Sequence, residues 1–121
     1  MLYNKVVEIF VVKGSFLHEE GLELLTKSLE GTRYVAASEV GSFQLDYYVV
    51  EEEMNCNKLF GVEVVKRDKV SGHDWFEERE CIHPLTESKE FVREMVEKLI
   101  YFSVSPVTLT QVVDELYSLL E

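Results

Sequence analysis

Two stretches of alternating polarity, Phe43–Glu53 (FQLDYYVVEEE) and Leu59–Arg67 (LFGVEVVKR), constrain this chain more than any other feature. In the first, Phe43, Leu45, Tyr47 and Val49 fall on one side of an extended backbone, and Gln44, Asp46, Tyr48 and Val50 on the other. In the second, Phe60, Val62 and Val64 share a side. The polar turn Asn55-Cys56-Asn57-Lys58 separates them. Period-two patterns joined by a short polar turn predict an antiparallel hairpin with one core face, the Phe43/Leu45/Tyr47/Val49 side.

Further strands extend the hairpin. Trp75–His83 (WFEERECIH) follows a loop at Asp68–Asp74, and its charges mark an edge or a solvated face. Arg33–Val40 precedes Gly41-Ser42, and Lys5–Lys13 (KVVEIFVVK) is rich in β-branched residues. Between these two, Leu22, Leu25 and Leu29 recur at helical spacing, and Gly31 stands where a C-terminal glycine would. Glu19–Glu30 is therefore a candidate helix, weakened by Gly21. Pro84 is expected to end the sheet.

Two amphipathic helices close the chain. Thr86 or Ser88 caps the first, whose stripe is Phe91, Val92, Met95, Val96, Leu99 and Phe102. Ser105 and Pro106 open the second, with Leu109, Val112, Val113, Leu116, Leu119 and Leu120 as its stripe. The expected fold is one α+β domain over residues 1–121. It is an antiparallel meander of four to five strands with the helices, two C-terminal and one candidate near the N-terminus, packed on one face.

Composition narrows the function. The chain has 121 residues, 46% apolar and 29% charged, the make-up of one globular domain. Its net charge is −11, from 12 basic and 23 acidic side chains, the wrong field for nucleic acid or an anionic membrane. The last helices superficially resemble a helix-turn-helix, with Thr108, Thr110 and Gln111 at the reading position. Residues 85–121 carry only Lys89, Arg93 and Lys98 as cations, too few to hold a phosphate backbone. The N-terminus lacks the pattern of a signal peptide and no apolar run is long enough to span a bilayer, so a cytoplasmic protein is expected.

No phosphate loop, nucleophile elbow or HExxH motif is present, and no catalytic or cofactor-binding residue is assigned. Cys56, Cys81 and His83 form one candidate site. If the last strand returns antiparallel, its end approaches the Cys56 turn, and three soft ligands would converge as a zinc site requires. The alternative reading is two free thiols and a surface histidine. The second candidate is an interaction surface on the outer sheet face, carrying Tyr48 and Val50 with Trp75 and Phe76. The edge strand Lys5–Lys13 would also suit a second copy.

Four segments, DYYVVEEE (Asp46–Glu53), FGVEVVK (Phe60–Lys66), PLTESKEFVREMVEKL (Pro84–Leu99) and VSPVTLTQVVDEL (Val104–Leu116), resemble a family of small uncharacterised Firmicutes proteins, many clostridial, classed as a domain of unknown function. The resemblance covers roughly the last two-thirds of the chain and leaves out the first 32 residues. It implies a bacterial cytoplasmic protein and supplies no activity, cofactor or site residue. The expectation is a small non-catalytic interaction or regulatory module that engages a protein partner or itself, with metal binding through Cys56, Cys81 and His83 as the alternative.

Overall fold

The computed structural model describes residues 7–13, 22–37, 41–70 and 74–120, with side chains at 25–36, 42–53, 55–68 and 76–120. Five strands, β1 (Val7–Lys13), β2 (Leu22–Ala37), β3 (Gly41–Met54), β4 (Asn57–Val70) and β5 (Asp74–Thr86), pair in chain order, each antiparallel to the next. Helix α1 (Lys89–Tyr101), a 3-10 turn at Pro106–Thr108 and helix α2 (Leu109–Leu120) follow. The fold is the α+β meander with two C-terminal helices on one face.

The core lies where the alternation places it. Leu45, Tyr47 and Val49 of β3 and Phe60, Val62 and Val64 of β4 meet Val92, Met95, Val96 and Leu99 of α1 and Leu109, Val113 and Leu116 of α2. Each of these side chains contributes about 1.5–3 kcal/mol by leaving water. The helices run antiparallel, since the Phe91 ring of α1 meets the Tyr117 ring of α2 edge to face at 5.2 Å.

Local chemistry sets the helix ends. The Ser88 hydroxyl accepts the Phe91 amide at 3.1 Å and caps α1. At the other end the amides of Ser103 and Val104 donate to the carbonyls of Ile100 and Leu99, a Schellman turn. Ser103 takes the left-handed position at φ 53° that glycine usually fills. Two side chains tie this turn to the sheet: the buried Tyr47 hydroxyl donates to the Val104 carbonyl at 2.9 Å, and Arg33 Nε donates to Ser103 Oγ at 3.2 Å. Burial pushes the Tyr47 phenol well above its ordinary range, so it stays a donor.

Three sequence expectations change. The candidate helix at Glu19–Glu30 is strand over Leu22–Glu30, continuous with the strand expected at Arg33–Val40. Residues 19–21 and 38–40 lie outside the described ones. Leu25 and Leu29 stand four apart, a spacing that puts them on one side of a helix and equally of a strand. Pairing with both β1 and β3 decides for the strand, and Gly31 sits at a β-bulge after Leu29. Second, Pro84 lies inside β5, which runs on to Thr86, and the His83–Pro84 peptide is cis. An edge strand tolerates a missing N–H on its outer side. Third, Phe102 and Leu119 leave their expected apolar stripes and are 60% and 77% exposed.

The strands outrun the helices. Strands β2 to β5 are 13 to 16 residues long, about 43–53 Å at roughly 3.3 Å per residue. The 13 and 12 residues of α1 and α2 reach only about 20 Å. The Arg33–Ser103 and Tyr47–Val104 bonds fix where α1 stops, so Val35 and Phe43 stand beyond its end. Opposite Phe43 comes Asp68, and opposite Asp68 comes Phe76.

Candidate functional site

The sheet face away from the helices is not the open surface expected from the sequence. Tyr48 is 8% exposed and Val50 1%, so neither is part of an exposed interaction surface. Val65, Asp46 and Glu63 on the same face are buried as well. Buried carboxylates need partners, and long cationic side chains from other strands supply them. Asp46 accepts from Thr32 Oγ1 at 2.8 Å, from Gln44 Nε2 at 3.0 Å and from the Arg67 guanidinium. Lys27 of β2, opposite Val50 in register, reaches diagonally over β3 to Glu63 of β4 at 2.8 Å.

Arg67 and Arg79 carry the network to the rim. Both donate to Glu77 at 2.9 Å, and Arg79 also lies 3.5 Å from Glu63. These two hydrogen bonds hold the Glu77 carboxyl below the ordinary carboxylate range, and the same bond from Arg67 raises that guanidinium in turn. A carboxylate held by two cations is a poor general base, because its proton affinity has been lowered. The chemistry this network performs is structural: it lets a charged sheet face be buried.

The three expected metal ligands do not converge. Cys56 occupies the two-residue β3–β4 turn and is exposed. Cys81 stands opposite Glu63, six residues along β4 from Asn57, which is about 20 Å of strand. His83 lies beside Gly61 and comes within 3.5 Å of Glu52. Among the described residues no group of three histidine, cysteine or carboxylate side chains is arranged to hold a metal. The Cys81 thiol is pushed up, first by desolvation and then by the Glu63 carboxylate, and so remains protonated.

Exposed aromatic side chains collect at the end where the sheet outruns the helices. Tyr101 is 74% exposed and Phe102 60%, with their rings edge to face at 4.9 Å, and with Glu97 and Lys98 they line a shallow hollow. Phe76, 54% exposed, lies on the helix-bearing face of β5 by register, separated from Phe43 by Asp68, and the Phe43 ring lies under Lys66 Nζ at 4.5 Å. Of the expected surface, Phe76 alone is exposed among the described side chains. Trp75 stands opposite Lys69 in the backbone register, and its side chain lies outside those described. Sequence reasoning missed Tyr101 and Phe102, although Tyr101-Phe102-Ser103, two residues ahead of Ser105-Pro106, marks a helix end where an apolar stripe loses its cover.

A second cleft, between the start of α1 and strands β2 and β3, is lined by Thr26, Ser28, Glu30, Glu51, Lys89 and Arg93. Its two signs of charge balance, so it selects no class of ion. No helix among the described residues is long and apolar enough to cross a membrane.

No curated protein and no solved structure matches the chain. A family's sequence model does match, over residues 26–119, which take in β2 from Thr26 onward, then β3, β4, β5, α1 and all but the last residue of α2. The chain belongs to DUF6514, a family of unknown function.

Proposed function

We propose that this chain is a small non-catalytic protein-interaction module, acting in the cytoplasm of a Firmicutes bacterium and docking a protein partner at the aromatic end of the helix layer. The observation that carries the reading is the Tyr101–Phe102 pair, two large rings exposed side by side on a turn tied to the sheet. Aromatic side chains presented rigidly supply most of the energy of protein interfaces, because they bury much area at little entropic cost. Phe76 extends the same end of the molecule, and Glu97 and Lys98 supply a polar rim. The free thiols of Cys56 and Cys81 suit a reducing compartment. The net charge of −11 favours a protein partner over nucleic acid.

The test is a photo-cross-linking residue placed at position 101 or at Glu94 on the exposed middle of α1. Discrete adducts from position 101 and none from position 94 are expected, and Phe102→Ser should remove them without changing the melting curve. Equal adducts at both positions, or adducts indifferent to Phe102→Ser, would end the reading.

A further inference from the structure

We infer that β1 is a self-pairing edge, through which two copies of the chain join antiparallel along Val7–Lys13 into one continuous sheet. This inference stands on a different surface from the aromatic end and does not depend on it. Among the described residues the meander leaves two edge strands, β1 and β5. An edge strand presents unpaired N–H and C=O groups, and proteins that stay apart usually guard them with charge or proline.

β5 is guarded. Glu77, Glu78, Arg79 and Glu80 follow one another, and Pro84 removes a donor. An antiparallel self-pairing centred on any of those four charged residues sets that charge opposite its own copy. β1 is not guarded, since Glu8 and Lys13 are its only charges. Centred on Phe10, the strand pairs with itself over all seven residues: Phe10 opposite Phe10, Ile9 opposite Val11 twice, Glu8 opposite Val12, and Val7 opposite Lys13. No like charges meet, and the central pairs are of the β-branched and aromatic types that stabilise sheets. Centring on Ile9 or Val11 shortens the paired stretch.

Parity fits as well. Val7, Ile9 and Val11 share a face by register with Ser28, Thr26 and Leu24, the side of β2 that continues the helix-bearing face. Odd residues opposite odd residues keep that face on one side in both copies, so the helices of neither copy obstruct the join. The chain carries −11, so whole copies repel, but the seam itself is neutral. The dimer should therefore strengthen as salt screens the remainder.

Sedimentation velocity on the full chain tests this at rising protein and salt concentration. The expected result is a species of twice the 14.1 kDa chain mass that grows with both. The double variant Ile9→Lys/Val11→Lys and its counterpart Ile9→Glu/Val11→Glu each oppose like charges twice in the Phe10-centred register. Each alone should be monomeric, and an equimolar mixture should restore the dimer. A wild-type chain that stays monomeric into the high micromolar range overturns the proposal, and so does a dimer that survives in either double variant. Failure of the mixture to associate, with both variants folded by circular dichroism, overturns the register. Should the variants not fold, hydrogen exchange on the wild-type chain decides. Protection of β1 amides that falls on dilution supports the seam, and protection indifferent to dilution refutes it. Phe102→Ser should leave the dimer unchanged, which separates this surface from the aromatic one.

Discussion

Replacing Tyr47 with phenylalanine would remove one oxygen from the middle of the core and leave its shape intact. The hydroxyl donates to the Val104 carbonyl at 2.9 Å, and both residues are buried, Tyr47 fully and Val104 at 5% exposure. Removing a donor costs the net value of the bond, about 0.5–1.5 kcal/mol, and a carbonyl left buried and unpaired costs about 1–3 kcal/mol. These overlap, so a loss of about 2 kcal/mol is expected. For a domain of this size that lowers Tm by roughly 8 °C. Urea unfolding followed by circular dichroism should show a lower midpoint at unchanged slope, because the surface exposed on unfolding is the same. Of the two side-chain hydrogen bonds that tie the α1–α2 turn to the sheet, Arg33–Ser103 would then remain, so amide exchange at Ser103 and Val104 should accelerate more than at Val62. A loss below about 0.5 kcal/mol would refute the reasoning, since it would mean that the Val104 carbonyl finds another partner or that the turn is not tied through Tyr47.

Three further outcomes follow from the same geometry. Cys56 sits at φ 72° beside Asn55 at φ 52° in the β3–β4 turn, where Asn-Gly is favoured. Cys56→Gly is therefore expected to stabilise the chain by about 1 kcal/mol, read as a higher urea midpoint. A Cβ on Gly61 would lie 2.3 Å from the Ile82 carbonyl oxygen and 2.7 Å from His83 Cβ, so Gly61→Ala should cost about 2 kcal/mol or more and first disturb amide shifts where the β4–β5 register shifts, between Phe60 and Val62. Arg67 and Arg79 hold Glu77 below the usual carboxylate range. Its contribution is present above the ordinary carboxylate value of the unfolded chain and is lost as pH falls through the lower folded value. The stability gap between wild type and Glu77→Gln should accordingly narrow on acidification, and a gap that widens would contradict the assignment.

The hairpin at Phe43–Arg67 was legible because one face of it meets helices and the alternation records that contact directly. The opposite face was not. Nothing in a linear sequence marks Asp46 and Glu63 as buried, since their burial depends on Arg67 and Lys27, which reach them only once β2, β3 and β4 are in register. The run Leu22–Leu29 was ambiguous because the four-residue spacing of Leu25 and Leu29 serves either periodicity, and pairing on both sides of β2 settled it. Phe102 was misplaced for a different reason. The helical stripe predicts its position, but the Schellman turn takes the chain out of the helix one residue early and turns that ring to solvent. The convergence of Cys56 with Cys81 failed on strand length, a quantity that hairpin topology alone does not specify.

The order of the strands has a consequence for how this architecture can vary. Because β1, among the described strands, pairs with β2 alone, it closes no loop that the remaining strands depend on. Such an element behaves as a detachable margin: it can be lengthened, exchanged or lent to another chain while the four strands behind it keep every pairing among themselves. In dilute monomer its amides should open well below the free energy needed to open β3–β4. The family model's match begins at residue 26, within the stretch of β2 where this margin is sewn on.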